Sequence, residues 1–369
     1  MDEAEREARR KRREEWASAT LARQTAVMDD LAGRADSAVM WAAVRRQANS
    51  YLRHLATWQR SKGYSGIDSL MDAQQGRLRD RVASAEAELA AVGDAERRDA
   101  ESRLGLRLAV MGKGGAGKTV ISSTISRLLA RRGRNVLVAD LDTNPGLVYS
   151  IGLGAADVAI PVEALEENAG SAYGWQLRSG LLPREVVERY TTVGPDGVRV
   201  TGLGKIGEAD KISAKRTVVA VVQVLLGFGE PEWDVIGDLE AGPTTPFERY
   251  HAFSDDVIVV VGPAWRSAMT ARRLLPMVGE GRSTTVVGNR FRHEPDHPGL
   301  APHVRIPFDA DVAEAERRGL SPLDECPDSP TIKAIEQVVD LFVSQPVHHV
   351  PTDHVPTHHV PIHHVEVRV

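Results

Sequence analysis

Apolar residues recur along the chain in two rhythms, and the change between them divides it. In the first hundred residues Leu21, Met28, Leu31, Val39, Trp41, Val44, Tyr51, Leu52, Leu55 and Trp58 follow one another at broadly helical spacing. The pattern breaks at "SKGYSG" (61–66), resumes over 67–92, and residues 1–104 contain no proline. This predicts an α-helical hairpin or coiled coil joined to the rest near Gly105. From 105 to 345 short apolar runs alternate with helical stretches, as in α/β proteins. "LRLAVM" (106–111), the run ending at Asp140, "WDVIGDLEAG" (233–242), "DDVIVVVGP" (255–263) and "STTVVGNRF" (283–291) read as buried strands. Residues 346–369 are a Val-Pro-His repeat with proline every fifth position, which forbids a helix and predicts an extended segment.

Composition narrows the possibilities. The net charge of −5 supplies no global basic field for nucleic acid, and the first fifteen residues carry as many acids as bases. No apolar run approaches a membrane span, and the N-terminus is charged from Asp2 onward, so a cytoplasmic protein is expected. One cysteine, Cys326, excludes a disulfide framework within the chain.

The chemistry starts at "MGKGGAGKT" (111–119). Gly112, Gly117, Lys118 and Thr119 satisfy the phosphate-binding pattern G-x-x-x-x-G-K-[ST]. Gly112, Gly114, Gly115 and Gly117 lack a Cβ, so the main-chain N–H groups around them and Ala116 can converge on phosphate oxygens. A helix starting near Lys118 adds its N-terminal N–H groups and dipole. Lys118 would reach the β and γ phosphates, and the Thr119 hydroxyl would ligate Mg²⁺. The pattern requires one lysine, and the loop has a second, Lys113.

Three further strand ends are placed for the same chemistry. Asp140 and Asp142 lie at the carboxyl end of the strand that begins near 135, where open α/β sheets put their active sites. A carboxylate there can hold a metal-bound water or orient the attacking water. Asp238, closing the next such strand, is the candidate Walker B carboxylate, and Gly242 would let the chain turn near the γ-phosphate. Asn289 ends a later strand, where its amide could read an adenine edge.

The loop with lysine at 113 resembles the deviant Walker A ATPases of the MinD/ParA class. "DLDTNPGLVYSIGL", "GDLEAG", "VVGNRFR" and the segment from 306 to 335 are similar to the nickel-insertion accessory ATPases of carbon monoxide dehydrogenase. The resemblance covers about 105–345. It implies a mostly parallel, doubly wound P-loop NTPase sheet of α/β class, here with an N-terminal α-helical, coiled-coil-like extension (1–104) and a His/Pro/Val tail (346–369). It implies a slow ATPase with ATP and Mg²⁺ as cofactors and a homodimer with ATP at the interface. Lys113 would reach across that interface to the partner's phosphates, Lys118 and Thr119 would bind phosphate and Mg²⁺, Asp142 would position water, Asp140 and Asp238 would sit in the Mg²⁺ shell, and Asn289 would contact adenine.

The resemblance fails in two places. The nickel-insertion proteins carry a Cys-x-Cys pair ahead of the Walker B strand. The matching stretch here (204–222) has no cysteine, and Lys211 and Lys215 would repel a cation. The N-terminal arm is also foreign to that architecture. Seven of the twelve histidines fall in the tail (348, 349, 354, 358, 359, 363 and 364), where neutral imidazoles could take Ni²⁺ or Zn²⁺. Three of the six tryptophans, Trp16, Trp41 and Trp58, lie in the arm. They are either the core of a helical bundle or a surface covered by the ATPase body, a second copy or a protein partner. The functional expectation is a nucleotide-dependent switch acting on a partner protein, as a maturation factor does. The alternative is a positioning or assembly ATPase whose arm binds a scaffold or cargo.

Overall fold

A computed structural model describes residues 3–59, 67–142, 146–171, 173–203, 211–240, 250–278, 282–292 and 300–344. The tail histidines, Gly242 and residues 204–210 lie outside the described residues, as do the side chains of Lys211 and Lys215.

Eight strands form one sheet in the order β10-β9-β8-β1-β7-β2-β6-β5. In chain order its strands are β1 (Arg107–Gly112), β2 (Asn135–Leu141), β5 (Thr192–Val193), β6 (Arg199–Gly202), β7 (Trp233–Leu239), β8 (Asp256–Val261), β9 (Ser283–Phe291) and β10 (Val304–Pro307). All pairings are parallel except β5 with β6. A separate antiparallel pair, β3 (Leu165–Glu167) and β4 (Trp175–Leu177), lies between β2 and β5 in the chain.

The central strands are buried on both faces, so they read as unbroken apolar runs. Their side chains still alternate between two cores. Ala109, Met111, Leu137, Val235, Val257 and Val259 pack on one face with α8 (Lys211–Gly227) and α9 (Trp265–Leu274). Leu108, Val110, Val138, Ile236, Ile258 and Val260 pack on the other with α5 (Lys118–Arg131) and α12 (Pro330–Val343). Helices on both faces make the sheet doubly wound. α6 (Leu147–Ser150) and α7 (Pro183–Tyr190) lie between β2 and β5 in the chain, and between β10 and α12 lie two short helices, α10 (Ala310–Arg317) and α11 (Pro322–Glu325).

The N-terminal arm is helical, but it is not a free coiled coil. Of its four helices, α1 (Glu3–Gly33), α2 (Ala38–Gln59) and α3 (Asp68–Ala91) pack around Leu21, Met28, Leu31, Val44, Tyr51, Leu55, Trp58, Met71 and Leu78, and α4 (Asp94–Ser102) packs through Ala100 on a second cluster with Val39, Ala42, Ala43 and Leu89. Trp16 lies 5.1 Å from Trp58, centroid to centroid, and His54 meets Trp58 edge-on. Trp58 is buried and Trp16 and Trp41 are half-buried within this core, so the arm's tryptophans are used internally.

The bundle docks against the amino ends of the strands. Arg46 donates to the Gly105 carbonyl (2.6 Å) ahead of β1, and Arg53 pairs with Asp255 (2.5 Å) ahead of β8. Arg34 and Arg103 pair with Glu230 and Glu232 ahead of β7. Gln47 donates to the Leu226 carbonyl at 2.7 Å. Gly170 is required here, because a Cβ would meet the Arg12 carbonyl oxygen at 2.0 Å, and a Cβ on Gly227 would come within 3.2 Å of the Tyr51 hydroxyl. Among the described residues, a cleft lies at the opposite, carboxyl end of the sheet. No helix among the described residues is long and apolar enough to cross a membrane.

Candidate nucleotide-binding site

The glycine-rich loop leaves the carboxyl end of β1, in the middle of the sheet, and runs into α5. Strand β1 ends at Gly112, whose Cβ, were there one, would lie 2.5 Å from the Val260 carbonyl oxygen on β8. Gly115 (φ +77°) and Gly117 (φ +91°) take the left-handed conformation that glycine allows at least cost. α5 begins at Lys118, which is buried beneath the loop. The loop borders a cleft of about 430 Å³ lined by Gly114, Gly115, Gly117, Lys118, Thr119, Asp142, Gly146, Tyr149, Ser150, Arg290, Glu316, Gly319 and Leu320. That volume suits a small-molecule ligand.

Asp140 and Asp238 sit side by side beneath it. They are register partners on the adjacent strands β2 and β7, and each is 1% exposed. The Asp140 carboxylate accepts the N–H groups of Asp142 and Leu147, both at 3.0 Å, which fixes its orientation. Burial, then the neighbouring Asp238, raises its pKa. Burial also raises that of Asp238, against the opposing pull of Lys118 and the Thr119 hydroxyl. The Asp238 Oδ1 atom is buried without a hydrogen-bond partner. Two adjacent buried carboxylates, one with an orphaned oxygen, call for a proton or a cation between them. With the Thr119 hydroxyl they form an all-oxygen donor set that fits Mg²⁺.

Asn289 lies two residues before the end of β9, where the structure gives it a task of its own. Its amide Nδ2 donates to the Ala116 carbonyl at 2.8 Å, and a Cβ on Gly117 would fall 2.1 Å from that nitrogen. Asn289 therefore braces the loop from behind.

Three contributors escaped sequence reasoning. Arg290 has φ +62°, donates to the Gly115 carbonyl at 3.2 Å and forks onto both oxygens of Glu316 at 2.6 and 2.8 Å. Glu316 and Tyr149 line the cleft. The only signal for Arg290 is its place next to Asn289.

Lys113, unlike Lys118, is not among the residues of the cleft wall, and neither are Gly112 and Ala116. Lys113 is half-exposed, and its Nζ lies 3.5 Å from the Gly114 carbonyl. Cys326 is also half-buried, and its thiol donates to the Pro322 carbonyl. Among the described residues no group of three or more His, Cys, Asp or Glu side chains is placed to hold a metal ion. The Ni²⁺ or Zn²⁺ expectation rests wholly on tail residues outside that set.

Residues 108–323 match the CobQ/CobB/MinD/ParA nucleotide binding domain (CbiA), more than half of the chain. The chain belongs to this family. The MinD/ParA-type domain spans the loop, both buried aspartates and Asn289, and leaves the helical arm outside. Among similar proteins, the uncharacterized ATP-binding protein MJ0823 of Methanocaldococcus jannaschii is 26% identical over 254 residues, 64% of this chain and 98% of the relative. The carbon monoxide dehydrogenase accessory protein CooC of Rhodospirillum rubrum is 25% identical over 241 residues, 60% of this chain and 91% of CooC. The fold is shared with the septum site-determining protein MinD of Pyrococcus horikoshii, solved with Mg-ADP. The TM-score is 0.51 at 17% identity, over 65% of this chain and 96% of that one.

Proposed function

We propose that this MinD/ParA-type protein is a slow, Mg²⁺-dependent ATPase that works as a nucleotide-dependent dimeric switch on a partner protein, in the manner of a maturation factor. The observation that carries the reading is Lys113, a second loop cation outside the wall of its own cleft. A lysine there has little to do for its own nucleotide. It is well placed to meet the phosphates of a second copy facing this end of the sheet, where two nucleotides at a seam need cations from both sides.

In this reading the loop amides from Gly112 to Thr119 and the Lys118 ammonium hold the phosphates. Asn289 braces the loop through Ala116, and its remaining amide oxygen is the group available to the adenine edge. Thr119, Asp238 and Asp140 would hold Mg²⁺, which supplies charge neutralisation at the β and γ phosphates when bound. Asp142, on the cleft wall, orients the attacking water. Loss of the γ-phosphate removes the group that joins the two copies.

The similarity to CooC supports a maturation role, while the missing Cys-x-Cys pair separates this chain from the nickel-binding members. The arm's core and its docking contacts use most of its apolar side chains, so its charged outer surface is what remains for a protein partner. Phosphate release and light scattering on the full chain, with ATP and with ADP, test the proposal. ATP should promote dimers and slow turnover, and Lys118→Ala should lose both. A wild-type chain that hydrolyses ATP at full rate as a monomer would refute the dimeric switch.

A further inference from the structure

Trp265 is 66% exposed, the most exposed of the large apolar side chains among the described residues. It stands at the same end of the sheet as the nucleotide loop. β8 and β1 are parallel neighbours with Gly112 opposite Val260. One strand end continues into Lys113, and the other, after Val261, into Trp265, the first residue of α9.

The turn that presents Trp265 is fixed. The Gly262 N–H donates to the Ser267 hydroxyl at 2.8 Å, and the Ser267 N–H donates to the Ala264 carbonyl at 2.7 Å. Ser267 and Ala268 are buried, while residues 263–266 all face solvent. Trp and Arg are among the residue types most enriched at interface hot spots, and a turn already fixed lowers the ordering cost of association.

The surroundings favour a second copy as the occupant. The cleft lining is mostly polar, with glycine backbone, Thr119, Asp142, Arg290 and Glu316 beside the apolar Tyr149 and Leu320. Two copies meeting across it would set the cations of one, Lys113 and Arg266, against the nucleotide phosphates of the other. That seam has complementary charge, and among the described residues Trp265 is the most exposed large apolar side chain at this end of the sheet. In a two-fold interface the residue counts twice. Each indole can bury about 150–250 Å², a substantial part of the roughly 1,600 Å² of a standard interface.

We propose that Trp265 is the apolar anchor of the ATP-bound homodimer, exposed in the single chain and buried against the second copy when nucleotide joins the two. The proposal rests on the dimeric reading above, and the test separates the two. Trp265→Phe supplies the reference that isolates the Trp265 emission from that of the other five tryptophans. In the full-length chain with Mg²⁺, a non-hydrolysable ATP analogue should shift that emission to the blue, whereas ADP should not. Lys113→Ala should abolish the shift. Trp265→Ala should weaken the analogue-dependent dimer at least about thirtyfold by light scattering, with ADP affinity unchanged. If Trp265→Ala loses ADP binding through misfolding, the difference emission decides alone. A wild-type dimer in which Trp265 keeps a solvent-exposed emission, or a Trp265→Ala chain that dimerises like wild type, overturns the proposal. A blue shift in a chain that stays monomeric also overturns it. A wild-type chain that never dimerises refutes the underlying dimeric reading instead.

Discussion

Replacing Asp238 by asparagine should stabilise the nucleotide-free protein while removing its response to Mg²⁺. The side chain is 1% exposed, its Oδ1 has no hydrogen-bond partner, and Asp140 is its register neighbour. Its pKa is raised to about 6, so burial outweighs the attraction of Lys118 and the Thr119 hydroxyl, and the charged form is less stable here than in water. Asparagine keeps the shape and removes the charge. An unsatisfied buried polar atom costs about 1–3 kcal/mol, and more when charged. Asp238→Asn should therefore return about 1–3 kcal/mol without ligand, a rise in melting temperature of about 2–4 °C per kcal/mol. The same change removes a charged metal ligand, so the extra stabilisation that Mg-ATP gives over ATP in chelator should largely vanish. Thermal unfolding of wild type and variant, without ligand, with ATP and chelator, and with Mg-ATP, reads both effects. A variant destabilised by more than about 1 kcal/mol without ligand, or one stabilised by Mg-ATP as much as wild type, would refute the reasoning.

Gly117→Ala should abolish nucleotide binding, since its φ is +91° and the new Cβ would sit 2.1 Å from Asn289 Nδ2. A titration with a fluorescent ATP analogue checks this, and wild-type affinity would contradict it. Asp256 has its pKa pushed from an ordinary 3.8 to about 6 by burial and by Asp255. Because the folded value is the higher one, the native state keeps a proton that the unfolded chain has lost, and stability falls as pH rises from about 4 to about 6. The loss is up to about 3 kcal/mol. Urea midpoints across that window should fall in wild type and fall less steeply in Asp256→Asn, where Asp140 and Asp238 still contribute, and equal slopes would contradict the assignment.

The central strands were legible because both faces are buried, which makes β1, β2 and β8 near-continuous apolar runs and gives β7 and β9 short ones. β3 to β6 and β10 have two to four residues each, too few for a period, and exist because neighbouring strands or turns hold them. Asp140 and Asp238 could be seen as strand ends, but their adjacency needed the order of the sheet. Arg290 was hidden because an arginine at positive φ leaves no mark in a sequence, and its partner Glu316 is 26 residues away. The arm's helices showed in their spacing. Their docking did not, since it depends on arginines reaching main-chain and acidic groups far along the chain, such as Arg46 to the Gly105 carbonyl.

The most direct test of the central claim mixes two inactive chains. Lys113→Ala keeps Asp142 and lacks the second loop cation, and Asp142→Ala has the reverse defect. If Lys113 acts across the seam, a mixed dimer has one site with Asp142 of its own chain and Lys113 from the other, and one site with neither. Phosphate release should then return to about half the wild-type rate per mixed dimer, since one of two equivalent sites is complete. If Lys113 serves its own nucleotide, each site of the mixed dimer lacks one group, and the mixture stays inactive, which would contradict the account.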